Sequence, residues 1–223
     1  MHFTDDTVSL VVGGTSGIGR AVAQALSERP GKVVSASRRS GLDVKDANAM
    51  ARYFAALGPI DHLVITSGSQ APGGKIVDLD LQAAKAAFDV KFWGSIAVVQ
   101  AAAKTIRPGG TITLTSGFLA RRTVPGTFVK TAMNAALEAT AKMLARELAP
   151  LRVNIVSPGL TDTESHHGMD PSARDAMFER AAASLPVGRA GRPEDMAAGY
   201  LLAIDNGFMT GAVIDIEGGG LIN

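Results

Sequence analysis

The sequence predicts a three-layer α/β fold, with helices covering both faces of a mostly parallel, doubly wound sheet. Three observations point there. Short β-rich runs alternate with longer helical stretches along the whole chain. The first such run, Val8 to Val12, is almost continuously apolar, and a glycine-rich turn joins it to a helix. Alternation of this kind builds βαβ units around a parallel sheet. An unbroken apolar strand is one buried on both faces.

Taken in order, Val8–Val12 is the first strand, and the helical stretch Arg20–Glu28 stops at Pro30-Gly31. Val33–Ser37 reads as a second strand, Asp46–Leu57 as a helix closed by Gly58-Pro59, and His62–Ile65 as a third strand. Leu79–Ile106 reads as one long helix ended by Pro108-Gly109-Gly110. Thr111–Thr115 carries three threonines, which suit a strand. Val129–Leu148 is a second long helix, followed by a strand at Arg152–Val156. Pro193 suits the first turn of a helix running to about Ile204, and Ala212–Ile216 is a last strand before Gly218-Gly219-Gly220. The stretch 161–189 falls outside this rhythm. It follows a strand whose C-terminal end should face a ligand, so it reads as a mobile substrate lid, with a plain surface excursion as the other reading. No linker, repeat or low-complexity stretch interrupts the series, which makes residues 1–223 one domain.

Composition narrows the function classes. Hydrophobic residues make up 46% of the 223, charged residues 19%, and the formal net charge is +1. A nucleic-acid binder carries a concentrated basic surplus, and none is present. With no cysteine there is neither disulfide nor thiol chemistry, which suits the reducing cytoplasm. The start, Met1-His2-Phe3-Thr4-Asp5-Asp6, lacks the layout of a signal peptide. No apolar run approaches the roughly 20 residues needed to cross a bilayer. A cytoplasmic protein without membrane or nucleic-acid partners is expected. His166 and His167 are adjacent with no nearby third ligand, so no metal site is expected.

The turn Gly13-Gly14-Thr15-Ser16-Gly17-Ile18-Gly19 follows a strand and opens a helix, the setting in which such glycines bind a dinucleotide. Gly13 can take a positive φ, Gly17 admits a pyrophosphate close to the backbone, and Gly19 lets helix and sheet pack. The N–H groups and dipole of the helix start favour anionic phosphate. The second strand ends in Ser37-Arg38-Arg39. A site for NAD(H) places a carboxylate there to hold the ribose hydroxyls. A guanidinium instead grips a 2′-phosphate through paired charged hydrogen bonds, so the expected cofactor is NADP(H).

Together these motifs give a chain that resembles the short-chain dehydrogenase/reductase family, whose fold is of Rossmann type, along nearly its whole length. They are Gly13-x-x-x-Gly17-x-Gly19, Asp43-Val44, Leu63-Val64-Ile65-Thr66-Ser67-Gly68, Ser116, Arg152-Val153-Asn154-Ile155-Val156-Ser157-Pro158-Gly159, Gly191-Arg192-Pro193-Glu194-Asp195 and Thr210-Gly211. The resemblance implies that Asp43 and Val44 border the adenine and Gly68 flanks the adenosine ribose. It implies that Pro158, Gly159 and Thr163 line the nicotinamide and phosphates, with Ser67 and Thr161 in the same cofactor set. It also implies a small-molecule substrate and a homodimer or homotetramer packed through the two long helices.

Two departures from the family pattern stand out. Only Ser40-Gly41-Leu42 separates the second strand from the Asp-Val pair, where the family has a helix and a strand. The larger departure concerns chemistry. The family reduces carbonyls with a tyrosine donor, a lysine four residues on, a serine and an assisting asparagine. Neither Tyr53 nor Tyr200 is followed by such a lysine. Aligning Asn134-Ala135-Ala136-Leu137-Glu138 with the family's Lys-Ala-Ala-Leu-Glu puts Lys130 at the tyrosine position and Asn134 at the lysine position. Aligning Phe88-Asp89-Val90-Lys91 with Phe-Asp-Val-Asn puts Lys91 at the asparagine position, and Ser116 keeps its place.

A lysine donor is already cationic. Burial and a second ammonium can bring it to roughly 7–8, a useful range for proton transfer. The expectation is an oxidoreductase in which Ser116 orients a substrate oxygen, Lys130 donates the proton, and Asn134 with Lys91 completes a relay. Two other readings fit the same residues: a catalytically inactive NADPH-binding or sensing protein, and a lysine enzyme using Schiff-base chemistry. Phe118, Arg121 and Arg122 are candidates to line the pocket, and an inward arginine would favour an acidic substrate. Trp93 reads as helix packing or subunit contact, and His166 and His167 as possible substrate contacts from the lid.

Overall fold

Alternate side chains of the central strands decide the layers. In β1 (Val8–Val12), Leu10 and Val12 join one buried cluster, and Val11 joins another on the opposite face. The first cluster packs Met50 and Phe54 of α2 (Ala47–Leu57), Val98 and Val99 of α4 (Gly94–Ala102) and Leu137 of α5 (Phe128–Glu147). The second packs Val22 and Leu26 of α1 (Gly17–Ser27) against Tyr200 and Ile204 of α7 (Pro193–Asp205). Helices thus cover both faces, as a sheet with no polar face requires. The computed structural model describes residues 3–68 and 70–222; Met1 and His2 of the acidic start lie outside it.

The sheet has six strands in the order β2-β1-β3-β4-β5-β6, and every neighbouring pair is parallel. The others are β2 (Lys32–Ala36), β3 (Ile60–Ile65), β4 (Ile106–Thr115), β5 (Arg152–Pro158) and β6 (Val213–Ile216). From β1 the chain runs outward to β2, then crosses back to β3 on the other side of β1. Such a reversal opens a crevice at the carboxyl ends of the strands. The short link expected after β2 is there: Arg38–Ser40 forms a single 3-10 turn, Gly41 is left-handed, and Leu42 plugs the core.

Two expectations are corrected. Leu79–Ile106 is not one helix. Asp80 caps α3 (Leu81–Phe88) by accepting from the N–H groups of Gln82 and Ala83, a π-turn at Asp89–Trp93 follows, and then α4. A π-turn is rare and carries no residue signature of its own, so the sequence reads as one continuous helix. Nor does Pro108-Gly109-Gly110 lie outside the sheet. Ile106 pairs with Ile60 and Thr111 with His62, so the Pro-Gly-Gly run is an irregularity inside β4, with Gly109 at φ +81°. The stretch 161–189 holds a further helix, α6 (Pro171–Ser184). Its start is marked in the sequence by Asp170, whose carboxylate accepts from Ala173 N–H, and by Pro171 in the first turn.

His62 lies in β3, buried against Phe3, with Nδ1 2.9 Å from Thr111 Oγ1 and Nε2 without a partner. Burial lowers its pKa from 6.5 to about 4. The folded form therefore holds a neutral ring. The stability this contributes is complete above pH 6.5 and is lost as pH falls toward 4. At about 1.4 kcal/mol per unit the loss is about 3 kcal/mol. His62→Gln should flatten the stability profile across that window by about this amount in urea unfolding at pH 7 and 4.5; an unchanged slope would show that His62 is not the group responsible.

Candidate active site

The turn after β1 is shaped by contact. Gly13 takes φ +86°, and its N–H donates to Ala36 O at 2.8 Å, tying the turn to the end of β2. A Cβ on Gly19 would fall 2.2 Å from Gly13 O and 2.3 Å from Thr66 Oγ1, so only glycine fits where α1 meets the sheet. The loops at the carboxyl ends of β1, β3, β4 and β5 enclose a cavity of about 450 Å³. Among the residues expected to hold a cofactor, Gly13, Ser16, Gly17, Ile18, Gly19, Ser67, Gly68, Pro158, Gly159, Thr161 and Thr163 line it.

The others sit beside the cavity. Thr15 is exposed on the turn, and Val44 is buried in the core. Asp43 accepts from Lys45 N–H at 3.0 Å. Ser37, Arg38 and Arg39 continue from β2 next to the glycine turn. Both arginines are exposed, and neither is in a salt bridge with a described residue. Ser37 Oγ and Ser67 Oγ are buried without hydrogen-bond partners. Such orphans are uncommon in a finished core and mark places where a ligand's polar atoms fit.

All four residues expected to do chemistry line this cavity. Lys91 comes from the π-turn, and its side chain lines the cavity. Its Nζ donates to Asn134 Oδ1 at 2.6 Å and to Ser116 O at 2.9 Å. Asn134 is 5% exposed, and a Cβ on Gly117 would stand 2.9 Å from its Nδ2, so glycine there leaves the amide its place. Burial, and after it the nearby Lys130 ammonium, lower Lys91 from 10.5 to about 8. Lys130 lies one turn before Asn134 on α5, exposed at the cavity wall.

Ser116 lines the cavity, but its hydroxyl donates to Glu138 Oε1 at 3.0 Å. Glu138 is in turn held by Arg121 Nε at 3.2 Å, and Arg121 also pairs with Asp215. Glu138 sits four residues beyond Asn134, so helical spacing in the sequence already places both on one face. Arg121 is thus committed to carboxylates and Arg122 donates to Gly220 O; the acidic-substrate expectation tied to them has no support. Neither tyrosine reaches the site: Tyr200 is fully buried with its hydroxyl 2.6 Å from Thr115 Oγ1, and Tyr53 packs on α2.

The stretch 161–189 supplies one group that the sequence does not single out, Glu164. Glu164 Oε2 accepts from Gly17 N–H at 2.9 Å, and the same carboxylate pairs with Arg20. No local pattern announces a contact across 147 residues of chain. His166 lines the cavity with its ring edge-on to Phe178 at 5.6 Å, and burial, more than the nearby Lys130, lowers its pKa. His167 is exposed and outside the cavity. Phe118 lines the wall, and Trp93 is 59% exposed on the π-turn. Among the described residues no group of three or more His, Asp or Glu is arranged to hold a metal, and no helix is long and apolar enough to cross a membrane.

The sheet order and the cavity at its carboxyl edge define a Rossmann-type α/β protein. A family profile described as enoyl-(acyl carrier protein) reductase matches residues 37–220. A short-chain dehydrogenase/reductase of Stachybotrys chlorohalonatus is 32% identical over 248 aligned positions, covering 96% of each chain. The 3-oxoacyl-(acyl-carrier-protein) reductase MabA of Mycobacterium tuberculosis is 28% identical, covering 94% of this chain and 91% of its own. A solved small-chain dehydrogenase in complex with NADPH shares 51% identity and a TM-score of 0.96, covering 98% of this chain and 100% of that one. The chain belongs to the short-chain dehydrogenase/reductase family of oxidoreductases.

Proposed function

We propose that this protein is an NADP(H)-dependent oxidoreductase that reduces the carbonyl of a small molecule, with Lys130 in the place of the family's tyrosine. The observation that carries the reading is the 2.6 Å bond between Lys91 Nζ and Asn134 Oδ1 inside the cavity. The lysine and asparagine have exchanged positions, yet the ammonium–amide pair is rebuilt from the opposite elements. A decayed site has no reason to keep a buried ammonium that burial disfavours.

The cofactor reading rests on this chain's own groups. Gly17 N–H already holds an anion, the Glu164 carboxylate, where a helix start would hold phosphate. Ser37 and Ser67 have oxygens to satisfy, and Arg38 and Arg39 stand ready for a 2′-phosphate. The NADPH complex of the 51% identical dehydrogenase agrees with this. Bound there, the reduced nicotinamide supplies the hydride that the carbonyl carbon takes.

Lys130 gives the matching proton to the carbonyl oxygen from its ammonium, and is then re-protonated from solvent at the cavity mouth. Lys91 and Asn134 position that exchange, the amide fixed through Oδ1 and its Nδ2 left to donate. Ser116, whose hydroxyl donates to Glu138 when no substrate is bound, turns that hydrogen to the substrate oxygen and steers it toward Lys130. The reaction balances as carbonyl, NADPH and one proton giving alcohol and NADP⁺. Thr161–Arg189 acts as the lid of a single 223-residue domain, with His166 facing substrate. Pairing of copies through α4 and α5 into a dimer or tetramer gives the exposed Trp93, Phe128 and Met143 a partner surface.

The test of the cofactor half is a double substitution. Arg38→Ala with Arg39→Ala should weaken NADPH binding by about a hundredfold, since a charge-assisted hydrogen bond contributes about 1.5–3 kcal/mol. NADH binding should move by less than about threefold. Equal losses for both dinucleotides, in a fluorescence titration, would remove the arginines from 2′-phosphate recognition.

A further inference from the structure

We propose that Glu164 is an internal competitor for the cofactor's diphosphate: it occupies the phosphate position at the start of α1 until the cofactor displaces it and takes over Arg20. The inference rests on the NADP(H) reading above. Its starting point is the geometry of one carboxylate. Oε2 accepts from Gly17 N–H at 2.9 Å, and Oε1 is engaged by Arg20. Gly17 is the residue of the turn that must admit a pyrophosphate, and it carries the first N–H of α1, where four such donors lack a helical partner.

Glu164 is not an accidental neighbour. It opens a 3-10 turn, Glu164–His166, on the lid. Thr163 just before it lies against Gly17, 3.4 Å from where a Cβ would project. The N–H contacts and Arg20 hold the carboxyl below its ordinary range, so it is an anion at neutral pH. Two anions cannot share one N–H and one guanidinium at contact distance without strong repulsion. Diphosphate entry therefore requires the carboxylate to leave, and its tether to the lid keeps its effective concentration in the millimolar range.

The exchange has a structural consequence. Once displaced, Glu164 releases the anchor by which the 3-10 turn is docked on α1, and this turn also carries His166, which lines the substrate side. Cofactor arrival and rearrangement of the substrate wall are thus one event, which favours cofactor before substrate. Arg20, with its side chain more than half exposed, needs only to exchange one oxyanion for another.

The two members of the pair give opposite predictions, which a merely structural salt bridge does not. Glu164→Gln removes the competitor and should tighten binding of NADPH, and of inorganic pyrophosphate, by about tenfold, the scale of one charge-assisted hydrogen bond. Arg20→Gln should weaken both by about tenfold. Adenosine 2′-monophosphate, which lacks the diphosphate, should bind the parent and both variants alike. The measurement is calorimetric titration of the full-length protein with each of the three ligands. Binding to Glu164→Gln that is unchanged or weaker, or variants that shift in the same direction, overturns the proposal. If NADPH binds the parent and Glu164→Gln equally, the competitor role falls and the cofactor reading stands. If pyrophosphate tightens in Glu164→Gln while NADPH binds none of the proteins, the competitor role stands and the cofactor reading falls.

Discussion

Lys130→Ala is expected to lower turnover by about 10²–10⁴-fold, the usual contribution of a positioned proton donor, with NADPH affinity changed by less than about threefold. Lys130 lines the cavity, and no described carboxylate is in a salt bridge with it. It is exposed, and its truncation opens no core void, so the fold should be retained. Charge and proton transfer can be separated. Lys130→Arg keeps a cation beside Lys91 but cannot release a proton, because guanidinium titrates far above neutral pH. It should be as inactive as the alanine variant. A Lys130→Arg enzyme with near-parental turnover would show that the cation binds substrate and does not protonate it. The alanine variant carries a second signature. With the neighbouring ammonium gone, Lys91 should titrate above about 8 while burial still holds it below 10.5. NMR of the lysine ε positions reads both groups directly.

The layers and the nucleotide turn were legible because each depends on local chemistry. The apolar run Val8–Val12, the turn glycines and the Arg152–Pro158 strand end all lie where their residue types alone require. What pattern could not reach were contacts between distant segments and departures from ideal helix geometry. Lys91 lies in a π-turn at Asp89–Trp93, which no residue type in that stretch announces. Pro108-Gly109-Gly110 reads as a helix stop in isolation, and becomes a strand irregularity only because Ile60 offers Ile106 a partner. The candidate chemistry was legible in part. Position named Lys91, Lys130, Asn134 and Ser116, and the cavity gathers them. The commitment of Ser116 to Glu138, and of Arg121 to Glu138 and Asp215, is a tertiary outcome. It removes arginine from the cavity wall and leaves lysine and histidine as its basic groups.

Lys91→Met should lower turnover by about a hundredfold or more while leaving folding stability unchanged or raised, the reverse of an ordinary core truncation. The argument is one of magnitudes. In the folded protein Lys91 is brought from 10.5 to about 8, chiefly by burial. At about 1.4 kcal/mol per unit, the charged form carries a penalty of about 3 kcal/mol at neutral pH. Methionine has nearly the same shape and no charge to desolvate. Against this, Asn134 Oδ1 and Ser116 O lose their donor, at about 0.5–1.5 kcal/mol each, because both residues line the cavity and water can take the place of the ammonium. The relieved penalty equals or exceeds that loss, so stability is unchanged or raised, whereas the ammonium that fixes Asn134 is lost outright. The pH dependence carries the sign. A base whose folded pKa is depressed destabilises the fold below that pKa, and the penalty is relieved as pH rises from about 8 to 10.5. The parent should therefore gain up to about 3 kcal/mol from this group across that interval, and Lys91→Met should not. Urea unfolding at pH 7.5 and 10 measures the difference. A methionine variant that loses several kcal/mol at pH 7.5 together with its activity would place Lys91 among the residues that hold the fold, and take it out of the positioning of Asn134.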